Sequence, residues 1–334
     1  MSVMIAGLPS IVVASSIVFL LAFATMVFRN KDKNSFEPKD KHVYITGGSQ
    51  GTGLALAKVL AKRGAHVTIV ARSVDKLKAA QLEISACKSS EEQVIRYESA
   101  DLCVPDLAAN AMERAEQETK KKVDYVFMCA GSARPGFFAS ASAADLEKEM
   151  QTDYFTAAYT AHAAVQSFLT HSSPASCRLV FVSSVCGLMG LPGYAAYCGA
   201  KFAVRGLAEA LRMELLMYGI KVHIYFPGTI YSPGLEEENK TKPQLTKDIE
   251  GADEGVTPAK AAAILMRGIE KEHYSISSDF TGDLIRSMTK GAPPANNAFV
   301  DGLYSCIAWI AMPIWRIGAD AKAVNEGKRL KKAN

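Results

Sequence analysis

The chain has 334 residues, of which 49% are hydrophobic, and carries a formal net charge of +4. That is ample for one large domain or two small ones. No stripe of Lys and Arg interleaved with aromatics marks a nucleic-acid partner, the seven cysteines form no C-x-x-C pair or His/Cys cluster at metal spacing, and they read as free thiols of a reducing compartment.

The first element is apolar. Val3 to Phe28 contains no charged residue, and Arg29, Lys31 and Lys33 follow at once. A bilayer-spanning helix needs about 20 such residues, and cations behind it place the following chain in the cytosol. Residues 1–28 therefore read as a membrane anchor with a lumenal N-terminus. Ala22 to Ala24 has the look of a cleavage site, but no Lys or Arg precedes the apolar run as a signal peptide would require. Residues 29–40 form a polar, Pro-containing linker.

From residue 41 strands and helices alternate. Candidate strands are His42–Thr46, His66–Ala71, Val94–Ala100, Asp124–Cys129, Arg178–Ser183 and Lys221–Phe226, each followed by a helical or turn-rich stretch. This predicts an α/β fold of Rossmann type, a doubly wound parallel sheet with its ligand outside the carboxyl ends of the strands. His66 and His223 fall inside strands, where structural roles suit them better than ligation.

Between the first strand and the first helix, Gly47, Gly48, Ser49, Gln50, Gly51 and Gly53 make a glycine loop. Such a loop lets the backbone approach a pyrophosphate, which the helix N-terminus then meets with free N–H donors. The second strand ends without the carboxylate that grips both ribose hydroxyls in NAD-preferring folds; Arg72 stands there, with Lys76 one turn on. Two cations suit a ribose 2′-phosphate, so the expected cofactor is NADPH.

Downstream, Tyr197 and Lys201 sit four residues apart and share one helical face, and Ser184 follows the apolar strand that begins at Arg178. The glycine loop, the strand-end serine and this helix together resemble the short-chain dehydrogenase/reductase family, over roughly residues 41 to 287. The resemblance implies a Ser184, Tyr197 and Lys201 trio. Tyr197 would be the acid or base, Lys201 would lower the phenol's pKa and hold the nicotinamide ribose, and Ser184 would hydrogen-bond the reacting oxygen. It also implies an adenine contact at Asp101 and Leu102. Cys129 stands where the family more often has Asn, and Asp153 where it usually has the Asn that orders a water beside the lysine. A buried carboxylate at 153 could pair with Lys201 and alter the phenol.

Pro227 and Gly228 end the sixth strand, and the loop Ser232 to Pro243 follows. This loop, residues 197 to 209 and both hydrophobic ends narrow the resemblance to members that reduce the 3-keto group of 3-ketodihydrosphingosine, a long-chain lipid drawn from the membrane. One of Glu236, Glu237 and Glu238 is then expected to meet the substrate's ammonium, although three acids after a Pro-Gly turn also suit a solvated first helical turn. Asn239 opens a glycosylation sequon, which a cytosolic domain would leave bare.

Residues 291–334 close the chain. Gly302 to Trp315 is apolar for fourteen residues and contains Pro313. That is short for a crossing, so an interfacial or re-entrant segment with Trp309 and Trp315 at headgroup depth is expected, against a buried core or dimer helix. Lys331 and Lys332 resemble a di-lysine retrieval signal, which implies the endoplasmic reticulum membrane. Two other readings stay open, a membrane-anchored reductase of a steroid, retinoid or fatty acyl carbonyl, and an NADPH-binding scaffold idled by Asp153. A homo-oligomer is compatible with all of them.

Overall fold

The computed structural model describes residues 36–251 and 255–333. The anchor and most of the linker lie outside these residues. Seven strands form one parallel sheet: β1 (His42–Thr46), β2 (His66–Ala71), β3 (Ile95–Ser99), β4 (Tyr125–Met128), β5 (Arg178–Val182), β6 (Lys221–Phe226) and β7 (Ser275–Ser277), in the order β3-β2-β1-β4-β5-β6-β7. Six of them follow the apolar runs of the sequence within a residue or two. β7 is additional; with three residues, two of them serines, it lacks any run to recognise and is held by pairing to β6, Ile224 against Ser275.

Strand alternation divides the core. Tyr44, Val126, Met128, Leu179, Phe181, Val222 and Ile224 pack on one face, against Ala-rich helices α3 (Pro105–Thr119), α5 (Thr156–Leu169) and α6 (Ala195–Leu215). Val43, Ile45, Val67, Ile69, Phe127, Val180 and Tyr225 pack on the other. There they meet α1 (Gly51–Lys62), α2 (Val74–Ser85) and α9 (Pro258–Glu270). Both faces are covered, as a parallel sheet requires.

His66 and His223 are structural. His66 Nδ1 accepts from the Val94 N–H at 3.1 Å, and buried His223 contacts the His273 carbonyl through Nδ1 at 2.7 Å. Burial pushes the His223 imidazole down to about 4.

Two features position the site. Chain order reverses between β1 and β4, which opens a crevice at their carboxyl ends. Short helix α4 (Ala143–Glu149) then runs into a π-helical turn, Met150–Phe155, before α5.

Beyond β6 the chain makes α7 (Pro233–Asn239), α8 (Gln244–Glu250), α10 (Phe280–Met288) and α11 (Ala298–Ala333). α11 continues through Pro313 for 36 residues, so the fourteen-residue apolar run lies inside a much longer helix. It is clamped at its start, where buried Asp301 accepts from Arg286 of α10 at 2.9 Å. Ala319 and Trp315 pack on Leu245 and Ile249 of α8. Its opposite side is a line of exposed residues, Phe299, Leu303, Ile310, Ile314 and Ile317, which excludes a wholly buried core helix. By length and composition, Ala298–Lys331 is the one helix among the described residues that could cross a membrane.

Candidate active site

A cavity of about 1220 Å³ opens at the carboxyl ends of the strands, larger than the several hundred Å³ typical of a small-ligand site. One end is the glycine loop. Gly47 takes φ +65° and its N–H donates to the Val70 carbonyl at 2.8 Å; a β-carbon there would meet the backbone of Ala130 at 2.8 Å. Gly53 lies 2.4 Å, by the same measure, from the Gly47 carbonyl oxygen. The loop thus folds over the start of α1, whose N-cap residue Gln50 makes no side-chain capping bond. The unsatisfied N–H donors of that helix end suit an anion such as a pyrophosphate.

Gly47, Ser49, Gln50, Gly51 and Gly53 line the cavity, and Thr52 joins them. Gly48 does not. Its α-carbon packs against Ile69, where a β-carbon would stand 2.5 Å from Cγ2, so it serves the sheet and not the cavity. Arg72 and Lys76 are exposed at the rim, with Lys76 Nζ donating to Gln50 Oε1 at 3.1 Å. Asp101 and Leu102 line the same end; Asp101 Oδ1 accepts from the Cys103 N–H at 3.1 Å.

At the centre, β5 ends at Val182 and Ser184 caps a short 3-10 turn, its Oγ accepting from the Cys186 N–H at 3.1 Å. Its own hydrogen is left to donate, and the Tyr197 phenol lines the cavity beside it. Ser183 turns elsewhere, donating to the Lys201 carbonyl at 3.1 Å. The trio therefore converges as expected from its spacing.

The electrostatics depart from the lowered phenol that the resemblance implies and follow the pairing expected of a carboxylate at 153. Lys201 Nζ lies 2.9 Å from Asp153 Oδ1, both side chains nearly shut off from solvent, and it donates to the Val182 carbonyl at 3.4 Å. It sits 5.4 Å from the Tyr197 ring centroid. The phenol is not lowered. The packing around Tyr197, followed by the Asp153 charge, holds it well above the usual phenol range. Lys201 has been drawn to a carboxylate instead. Burial likewise raises Asp153, opposed by Lys201, and burial with Asp153 beside it pushes Glu149 up to about 7.

The far wall comes from α7, α8 and α11. Glu236 and Glu237 are exposed on α7 and do not line the cavity, so they are set aside as substrate contacts; Glu238 does line it. Tyr194 donates to Glu238. Lys242 pairs with Glu238 at 3.1 Å and Glu250 at 2.9 Å, and stands over the Tyr194 ring. One lysine is shared between two carboxylates here, exposed Lys247 lines the same wall, and the Tyr194 and Tyr197 rings are 5.7 Å apart. Met312 and Trp315 of α11 complete the wall. Trp315 thus faces inward, not toward a headgroup layer, while Trp309 is 74% exposed. Tyr194, Lys242, Glu250, Met312 and Trp315 carry no sequence motif.

Residues 41–243 match the short chain dehydrogenase family. The chain is 37% identical over 314 residues to a 3-ketodihydrosphingosine reductase of Cryptococcus neoformans, covering 94% of this chain and 93% of that one. It is 32% identical over 292 residues to a 3-dehydrosphinganine reductase of Danio rerio, covering 86% and 87%. Among solved structures, levodione reductase superposes with a TM-score of 0.65 at 21% identity, covering 72% of this chain and 96% of that one. The chain belongs to the short-chain dehydrogenase family.

Proposed function

We propose that this protein reduces the 3-keto group of 3-ketodihydrosphingosine to the alcohol, with NADPH as the reductant. The observation that carries the reading is a Tyr197 phenol beside Ser184, in one cavity between a glycine-loop end suited to a dinucleotide and a far wall that carries Glu238 and Glu250 about Lys242. The relatives named for this reaction, similar over most of their length, support it.

Bound NADPH would supply hydride to the carbonyl carbon. Gly47, Ser49, Gln50, Gly51 and Gly53 would take its pyrophosphate, Asp101 and Leu102 its adenine, and Arg72 with Lys76 its 2′-phosphate. Tyr197 donates its proton to the carbonyl oxygen. Ser184 hydrogen-bonds that oxygen as charge develops. Lys201 lies at the floor of the site and would hold the nicotinamide ribose. On the far wall, Glu238 takes the substrate's ammonium, because the group Glu238, Glu250 and Lys242 lacks one positive charge. A steroid ketone has no cation to offer it, which favours the amino lipid.

The outward apolar line of α11 suits contact with a lipid surface, and its inward Met312 and Trp315 suit an alkyl chain. With the N-terminal run and the terminal lysines, this supports residence in the endoplasmic reticulum membrane with the catalytic domain in the cytosol. Asn239, exposed at the end of α7, then stays unglycosylated; glycan found there would overturn the orientation.

The deciding assay is NADPH oxidation by the full chain with 3-ketodihydrosphingosine beside a steroid ketone. Turnover of the first alone is expected, and preference for the steroid would sink the proposal. Arg72→Asp should move cofactor preference toward NADH; an unchanged preference would make Arg72 a bystander.

A further inference from the structure

Lys201 is placed where it could stabilise a phenolate, yet its charge is spoken for. Asp153 reaches it from the π-helical turn, whose wider winding shifts the side chains that follow α4. The carboxylate fits because residue 131 is glycine: a β-carbon there would stand 2.4 Å from Asp153 Oδ1 and 3.1 Å from Lys201 Nζ. No donor meets either Asp153 oxygen at hydrogen-bond alignment, so the ammonium is the compensating partner that lets a carboxylate sit there.

A lone cation beside a phenol favours its anion, whereas a cation held 2.9 Å from an anion acts as a dipole whose field falls off faster. The other groups facing Tyr197 do not restore the missing positive charge. Asp153, Cys186 and Glu238 each oppose a phenolate, and the Ser184 hydroxyl favours it. From α6, Cys198 is held by Cys186, and the Tyr194 ring just before that helix lies tilted against the phenol. Asp153 itself faces Lys201, the Ser132 N–H and Glu149.

We propose that Asp153 is a positioning residue that neutralises Lys201 and so reserves Tyr197 as a proton donor, fitting the site to carbonyl reduction rather than to alcohol oxidation. The inference rests on the role given to Tyr197 above. In reduction the Tyr197 O–H bond breaks, its proton goes to the carbonyl oxygen, and a hydride brings two electrons to carbon from NADPH. In oxidation the same oxygen must already be a phenolate to take the alcohol's proton. Asp153 does not move the equilibrium between ketone and alcohol, which belongs to the reactants. It sets the pH range in which the donor is present.

The test is a difference titration of tyrosinate ultraviolet absorbance, full-length protein against Tyr197→Phe, with neither cofactor nor ketone added. No ionisation of Tyr197 is expected below about pH 10, and Asp153→Asn should bring it down by about one pH unit or more. The alkaline limb of ketone reduction and the onset of alcohol oxidation should move down with it. A Tyr197 that ionises below about pH 9 in the unaltered protein would overturn the proposal, as would an unmoved phenol in an Asp153→Asn protein with unchanged melting temperature. If the Asn variant does not fold, the first comparison still decides. Because the titration involves no substrate, its outcome is independent of whether the sphingoid ketone is turned over.

Discussion

The glycine-loop wall of the cavity presents backbone, while the wall made by α7, α8 and α11 presents side chains. On the first, Gly47 and Gly53 approach neighbouring backbone so closely that no β-carbon fits, and the donors are main-chain N–H groups fixed by β1 and α1. On the second, Glu238, Lys242 and Glu250, from two seven-residue helices and the turn between them, and Tyr194, from the start of α6, hold one another by charge and hydrogen bonds. A backbone site tolerates almost no substitution at its glycines but is indifferent to most side chains around it. A side-chain site can be retuned one residue at a time. The contrast suits a wall that meets an invariant nucleotide and a wall that must tell one ketone from another.

The largest expected effect lies where the walls meet. Tyr197→Phe should lower turnover by about 10²–10⁴-fold while leaving NADPH binding intact, since only the acid is removed. Steady-state kinetics beside nucleotide titration separates the two, and retained turnover would deny the phenol its part. Next, Gly47→Ala should cost about 2–4 kcal/mol through its positive φ and its collision with Ala130. Denaturant unfolding would register this, and loss of nucleotide binding should accompany it. If the variant were as stable and bound as tightly, the backbone wall would be less rigid than its geometry demands.

A subtler effect concerns Glu149 at the turn before Asp153. Its folded pKa is raised from the carboxylate value of 4.5 to about 7, so the native state binds the proton more tightly than the unfolded chain. The group's cost is absent below about pH 4, grows as pH rises, and is complete above about pH 7. Glu149→Gln should therefore stabilise the protein at pH 8, by about 1–3 kcal/mol, and leave it unchanged at pH 4. Thermal melts at the two values check the sign. The smallest effect sharpens the far wall: Glu238→Gln should raise the KM of the amine about tenfold and spare its N-acetyl analogue. Equal loss for both would make Glu238 a structural partner of Lys242 and Tyr194 only.

What the sequence made legible follows the same division. The glycine loop, six of the seven strands and the convergence of Ser184, Tyr197 and Lys201 are local patterns of turn, alternation and helical spacing, and each survives into the structure. Gly48 shows the limit even there, since composition cannot say that its α-carbon turns to Ile69. Met312 and Trp315 reach the wall from a helix far away in the chain, and Lys242 meets nearby Glu238 and Glu250 only because a turn folds α7 back toward α8; no periodicity encodes either. The sequence did place an acid at Asp153, but its capture of Lys201 depends on a π-helical turn and a glycine across the crevice. Hence the lowered phenol implied by the resemblance is reversed, through the Asp153 pairing that the residue type at 153 allowed.

The fit of Gly131 to Asp153 also ties the two positions together in any lineage that changes this floor. With the carboxylate in place, a methyl at 131 has nowhere to go. Shortening residue 153 first would free the space, but it would strand a buried ammonium without its counter-charge. Neither single step is neutral. The two positions form one heritable unit, to be exchanged together or kept.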